Sequence, residues 1–100
     1  MRIEDCRAEI DSIDTELLNL LNRRAALALQ IGILKHGCGL EICDPQRERE
    51  VIDRACQANQ GPLATAAVER IFRRIVREAR AAEITELASD ESLPAERRAQ

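Results

Sequence analysis

Tryptophan and tyrosine are absent from this sequence, and Phe72 is its only aromatic residue. A small domain without large rings has less apolar area to bury, so burial has to come from aliphatic side chains and, in part, from a partner chain. The same absence leaves little on which bases could stack, and a net charge of −3 with acids and bases interleaved offers no positive field to a phosphate backbone. Nucleic acid is therefore not expected as a ligand. Long apolar runs are missing too. The N-terminus, Met1-Arg2-Ile3-Glu4-Asp5, lacks the core of a signal peptide, and no stretch approaches the length of a membrane span. The expected location is cytoplasmic, with no membrane partner.

The four cysteines, Cys6, Cys38, Cys43 and Cys56, form no C-x-x-C pair, and thiols in a reducing compartment stay free. They read as small apolar side chains. His36, Cys38 and Cys43 are irregularly spaced and lack a fourth ligand, so no metal is assigned. What is present, 45% hydrophobic and 33% charged residues in 100, describes one folded domain with no room for a second.

From Ile3 to about Lys35 there is no proline and a single glycine, Gly32, while Ile10, Leu17, Leu21, Ala28 and Ile31 recur at steps of about three and four. This predicts one amphipathic helix of roughly 50 Å. Such a helix outruns a 100-residue globule, whose radius of gyration is about 13 Å, so part of it must lie against another molecule. Gly37, Cys38 and Gly39 end it. Asp44-Pro45 reads as a helix cap followed by proline at the first helical position, starting a second helix that runs to about Ala58. Asn59-Gln60-Gly61-Pro62 breaks the chain again. A third helix, from about Thr65 to Leu87, carries Val68, Ile71, Phe72, Ile75, Val76 and Ala79 on one face. The fold class is all-α: a domain over residues 1–88, followed by a polar, frayed tail over 89–100.

Charges that interrupt an apolar stripe carry the most information, because a charge facing a core is costly unless something pairs with it. Continuing the stripe of the first helix brings Arg24 and Lys35 inward. They stand eleven residues apart, within about 20° of a common azimuth and separated by roughly 16 Å of rise, a spacing from which two long side chains can close on one small anion. Snorkelling, or pairing with buried acids, is the plainer alternative. In the second helix Arg47 takes the place of a capping-box acid, so Glu48 is not explained by capping, although the helix dipole alone would favour an acid there. Glu83 follows Ala79 by four residues on the apolar face of the third helix, where burial would raise its pKa; fraying of the helix end would instead leave it solvated. Arg7 precedes Lys35 by 28 residues, about 42 Å along a straight helix, so the two cannot meet on one small ligand within a single chain. If Arg7 belongs to the site, it comes from a partner.

These residues resemble the all-α chorismate mutases of the AroQ type. The matching elements are R-x-x-I-x-x-I-D at Arg7 to Asp14, L-L-x-x-R at Leu20 to Arg24, G-x-x-K at Gly32 to Lys35, D-P-x-R-E at Asp44 to Glu48 and I-F-x-x-I at Ile71 to Ile75. They cover about residues 3 to 87. The resemblance implies a three-helix protomer in an intertwined homodimer that converts chorismate to prephenate in phenylalanine and tyrosine biosynthesis without a cofactor, in some members beside a partner enzyme of the aromatic pathway. It implies that Arg7 is donated to the other protomer's site and joins Arg24 and Arg47 in holding two substrate carboxylates. Lys35 would hydrogen-bond the ether oxygen and a carboxylate, Glu48 would accept from the ring hydroxyl, and the Asp44 backbone would add a contact. Ala79 stands where some members have serine. Glu83 stands where members have glutamine or glutamate reaching the ether oxygen, and only a protonated glutamate can donate that bond. The catalytic set so implied is Lys35, Glu83 and Arg24. Two other functions fit the same resemblance: an isochorismate pyruvate lyase of this fold, and a non-catalytic, regulatory mutase-like module.

Overall fold

The computed structural model describes residues 1–37 and 44–92, the last five of these by their helical backbone alone. Helix α1 spans Ile3–Gly37, α2 spans Pro45–Ala58 and α3 spans Thr65–Ser92. The described residues contain no strand, so the all-α expectation holds. The starts of α1 and α2 and the end of α2 fall where the sequence puts them. Helix α3 runs five residues past Leu87 to Ser92. Cys38, Gly39 and Cys43, and positions 93–100 of the expected tail, lie outside the described residues.

Local chemistry accounts for the helix ends. Glu4 and Asp5 occupy the first turn of α1 and Lys35 and His36 its last, each sign matched to the helix dipole. The Arg2 backbone N–H donates to Asp5 Oδ2 at 3.0 Å. Asp44 caps α2, its Oδ1 accepting from the Arg47 backbone N–H at 3.0 Å, with Pro45 in the first position where no N–H is needed. Between α2 and α3, Asn59 organises the turn: its Nδ2 donates to the Leu63 carbonyl at 2.9 Å and its Oδ1 accepts from the Gly61 N–H at 3.1 Å. Gly61 sits at φ +79°, a conformation open to glycine at little cost.

Helix α3 is the central element and packs against both α1 and α2. Ile52 of α2 and Val68, Ala79 and Leu87 of α3 form the buried apolar core. On α1 the residues that α3 covers are Leu21, Arg24, Ala25, Ala28, Leu29, Gly32 and Lys35, a stripe at steps of three and four. This stripe lies to one side of the expected one. Leu21, Arg24, Ala28 and Lys35 are on it, but Ile10, Leu17 and Ile31 are each at least half exposed, as is much of Ile71 on α3. Every residue of α1 before Leu21 is exposed. The protomer is accordingly elongated, 58 × 30 × 14 Å, with a radius of gyration of 17.5 Å against about 13 Å for a compact chain of this length. No described helix is long and apolar enough to cross a membrane.

Candidate active site

The C-terminal half of α1, the first turn of α2 and the middle of α3 enclose a cavity of about 260 Å³. Arg24, Ala28 and Lys35 reach it from α1, Asp44, Arg47 and Glu48 from the start of α2, and Ala79, Arg80 and Glu83 from α3. Seven of the eight residues singled out in the sequence thus meet at one place. The eighth, Arg7, does not: it lies in the exposed N-terminal part of α1, as its distance along the helix required.

Helix geometry explains the convergence. Arg24, Ala28 and Lys35 share the stripe of α1 that faces α3, whereas Ala79 and Glu83 sit four apart on the stripe of α3 that faces α1. The Asp44 cap fixes where α2 begins and so where Arg47 and Glu48 enter. Asp44 also ties the site together, because Lys35 Nζ lies 3.6 Å from its Oδ2 while Oδ1 caps the helix. One carboxylate therefore joins the end of α1 to the start of α2. Among the described residues Arg24 makes no ion pair, which leaves its guanidinium available to an anion.

Glu83 is the one buried charged side chain among the described residues, 9% exposed. Burial raises its carboxyl pKa above the ordinary 4.5, and the nearby Lys35 and Arg80 pull it back only in part. The raised value expected from the apolar face of α3 is what the environment produces. Opposite it stands Gly32, the only buried residue of α1. A Cβ on Gly32 would come within 3.3 Å of Glu83 Cδ and 3.6 Å of Oε2. The glycine inside a long helix, otherwise unfavourable by about 1 kcal/mol relative to alanine, makes room for this carboxyl group.

Two participants went unrecognised in the sequence. Gly32 was visible as the single glycine between Ile3 and Lys35, but its purpose requires knowing what faces it. Arg80 lines the cavity and forms an ion pair with Glu48. Its signal was weak: a cation four residues after Val76 and three before Glu83, at the edge of the apolar face. The resulting cavity sets Arg24, Lys35, Arg47 and Arg80 against Asp44 and Glu48, with Glu83 shifted toward its neutral form. Such a site suits a small, multiply charged anion that also carries a hydrogen-bonding hydroxyl. Among the described residues there is no cluster of metal-binding side chains.

A family model for chorismate mutase type II matches residues 6–84. A bifunctional chorismate mutase/prephenate dehydratase from Aquifex aeolicus is 40% identical over 78 residues, which are 74% of this chain and 22% of that relative. The chain spans about a fifth of the length of the curated bifunctional relatives it matches. Among solved structures, a chorismate mutase from Thermus thermophilus superposes with a TM-score of 0.80 at 32% identity, covering 83% of this chain and 94% of that one. Chorismate mutase from Helicobacter pylori, in complex with prephenate, superposes at 0.79 with 29% identity, covering 92% of this chain and 97% of that one. Three helices with these bounds, a cationic cavity at their junction and a family match across all three lead to one conclusion: the chain belongs to the type II chorismate mutase family.

Proposed function

We propose that this chain is a chorismate mutase, an isomerase that converts chorismate to prephenate within an intertwined homodimer in the cytoplasm. The observation that carries the proposal is the cavity itself, where cations from all three helices surround a buried Glu83 whose carboxyl pKa is raised by burial. The reaction is a [3,3] shift inside one molecule. A C–O bond breaks as a C–C bond forms, and no proton or electron leaves the substrate, so the task of the protein is to position and to stabilise charge.

Arg24 and Arg47 bind the two carboxylates of the dianion, joined by Arg7 of the other protomer. Lys35 and protonated Glu83 donate to the ether oxygen, where negative charge grows as the C–O bond opens. Fixed donors aimed at developing charge are among the strongest contributions available to a catalyst. Glu48 and the Asp44 backbone receive the ring hydroxyl, and Ala79 forms an apolar wall that contributes no hydroxyl. The exposed aliphatic residues before Leu21 offer an apolar face to a second chain, which supports the placement of Arg7 in trans. Whether a partner enzyme of the aromatic pathway accompanies the chain in the cell is part of the same proposal, motivated by the bifunctional relatives.

Incubating the purified chain with chorismate and, separately, with isochorismate, and identifying the products, tests the activity. Prephenate is expected; release of pyruvate from isochorismate, with none of the rearrangement, would assign the chain to the lyase reaction, and no turnover of either would make it a non-catalytic module. Mixed dimers test the shared site. Arg7→Ala chains and Lys35→Ala chains, each inactive alone, should recover about one working site per heterodimer on mixing, because both lesions then fall in the same site and leave the other intact. Confirmed heterodimers without recovery would overturn the donation of Arg7.

A further inference from the structure

Among the described residues, four ion pairs involve arginine, and they divide sharply. Arg73–Glu69, Arg74–Glu78 and Arg47–Glu50 each lie within one helix at a spacing of three or four, with side chains between 43% and 74% exposed. Pairs of that kind contribute a few tenths of a kcal/mol and organise nothing beyond their own helix. Arg80–Glu48 differs in each respect. It joins α3 to α2, both partners line the cavity, and their side chains are 32% and 27% exposed, so solvent screens the pair less.

The position of Glu48 makes such a partner necessary. Glu48 lines a cavity that Arg24, Lys35 and Arg47 also line. A glutamate on a flexible stem, left alone there, would fall onto one of those cations and neutralise a charge that the substrate needs. Arg80 engages Oε1 from the opposite helix. Among the described residues Oε2 has no hydrogen-bond donor, and it remains free to accept one.

We propose that Arg80 is a positioning residue for Glu48: its guanidinium binds one carboxylate oxygen, keeps the group away from the anion-binding cations and presents the second oxygen to the substrate hydroxyl. The inference rests on the role given to Glu48 above. It assigns Arg80 no contact with the substrate carboxylates.

A double-mutant cycle on the full chain separates this role from its alternatives. Glu48→Gln, Arg80→Met and the double variant are compared by steady-state kinetics with chorismate, with helix content followed by circular dichroism. Arg80→Met should lower kcat/KM by about tenfold, the scale of a charged hydrogen bond whose partner is left misplaced. It should divide the loss between kcat and KM as Glu48→Gln does, and the double variant should be no worse than Glu48→Gln alone. Arg80→Lys, which keeps the charge and disturbs packing least, should recover part of the loss.

Additive losses would make Arg80 an independent contact and overturn the proposal. So would an Arg80→Met enzyme with parental kinetics, or an Arg80→Lys enzyme no better than the Met variant. A fully active Glu48→Gln enzyme would remove the role of Glu48 itself and the proposal with it. A chain that leaves chorismate unchanged would fail at the first measurement, before Arg80 is reached.

Discussion

The two halves of α1 hold the same number of large aliphatic residues, six Ile or Leu in residues 3–20 and six in residues 21–37, yet only the second half is partly covered: Leu21 and Leu29 are half-buried there, while Leu27, Ile31, Ile33 and Leu34 stay exposed. In the first half every one of them is exposed; in the second, α3 covers a stripe built largely of small and charged residues, Ala25, Ala28, Gly32, Arg24 and Lys35. The first half is suited to assembly, because nothing within the protomer covers any residue of it. The covered half gives up aliphatic packing for close approach and for charge, which are what a binding cavity requires. One helix thus divides between an adhesive end and a chemical end, and substitutions in the two should fail in different ways.

The sharpest break in that comparison is a charge placed in the bare half. Leu17→Asp should abolish dimerisation, and with it helix content and activity together, because a carboxylate in an apolar interface has no partner. Sedimentation and circular dichroism would show this, and a folded, active Leu17→Asp monomer would contradict the division. In the covered half, Lys35→Met should lower turnover at least a hundredfold, the effect of losing about 3 kcal/mol of stabilisation at developing charge, while mass and helix content stay at the parental values. Arg24→Met should behave similarly. A Lys35→Met enzyme with normal turnover would remove its catalytic role.

The third expectation concerns pH. In the proposed mechanism Glu83 works as an acid, and its folded pKa is raised above 4.5, chiefly by burial. Activity should therefore be complete below that raised value and decline through a single ionisation as pH climbs past it. Glu83→Gln keeps a donor at every pH and should flatten the alkaline limb, whereas Glu83→Ala should be poor throughout. The same decline in the Gln variant would place the ionising group elsewhere.

Much of this was legible in one sequence. The Asp44-Pro45 cap fixed the start of α2, and the spacing Ala79 to Glu83 put a carboxyl on an apolar face. The 28 residues from Arg7 to Lys35 excluded a meeting of those two side chains on one small ligand within a single chain. What could not be read concerns how helices face one another. Periodicity locates an apolar side but not the rotation that a neighbour selects, which is why Ile31 and Ile71 were placed inward while Ala25 and Gly32 were not. The pairing of Arg80 with Glu48 depends on how α3 is placed against α2, which no single-helix pattern contains. Helix α3 passed its expected end because no glycine or proline stands between Leu87 and Pro94.

The smallest expected effect is at Gly32. Gly32→Ala should cost several-fold in kcat/KM, since the Glu83 carboxyl must shift by a few tenths of an ångström, well short of the full ångström that costs about a hundredfold. Replacing Gly32 with alanine while shortening Glu83 to aspartate should relieve the crowding but lose the reach. If Gly32→Ala turned over like the parent, the carboxyl would be free to move and the glycine would serve only helix packing.

That glycine has a consequence for anyone who would improve this protein. A programme of stabilisation guided by helix propensity would choose position 32 early, because it is the one interior site of α1 where alanine promises a gain of up to about 1 kcal/mol. Selection for thermal tolerance and selection for turnover would then pull the same residue in opposite directions, with one methyl group deciding between them. A library ranked by melting temperature would enrich well-folded chains with a displaced acid, and only a screen that also reads the product would keep the glycine.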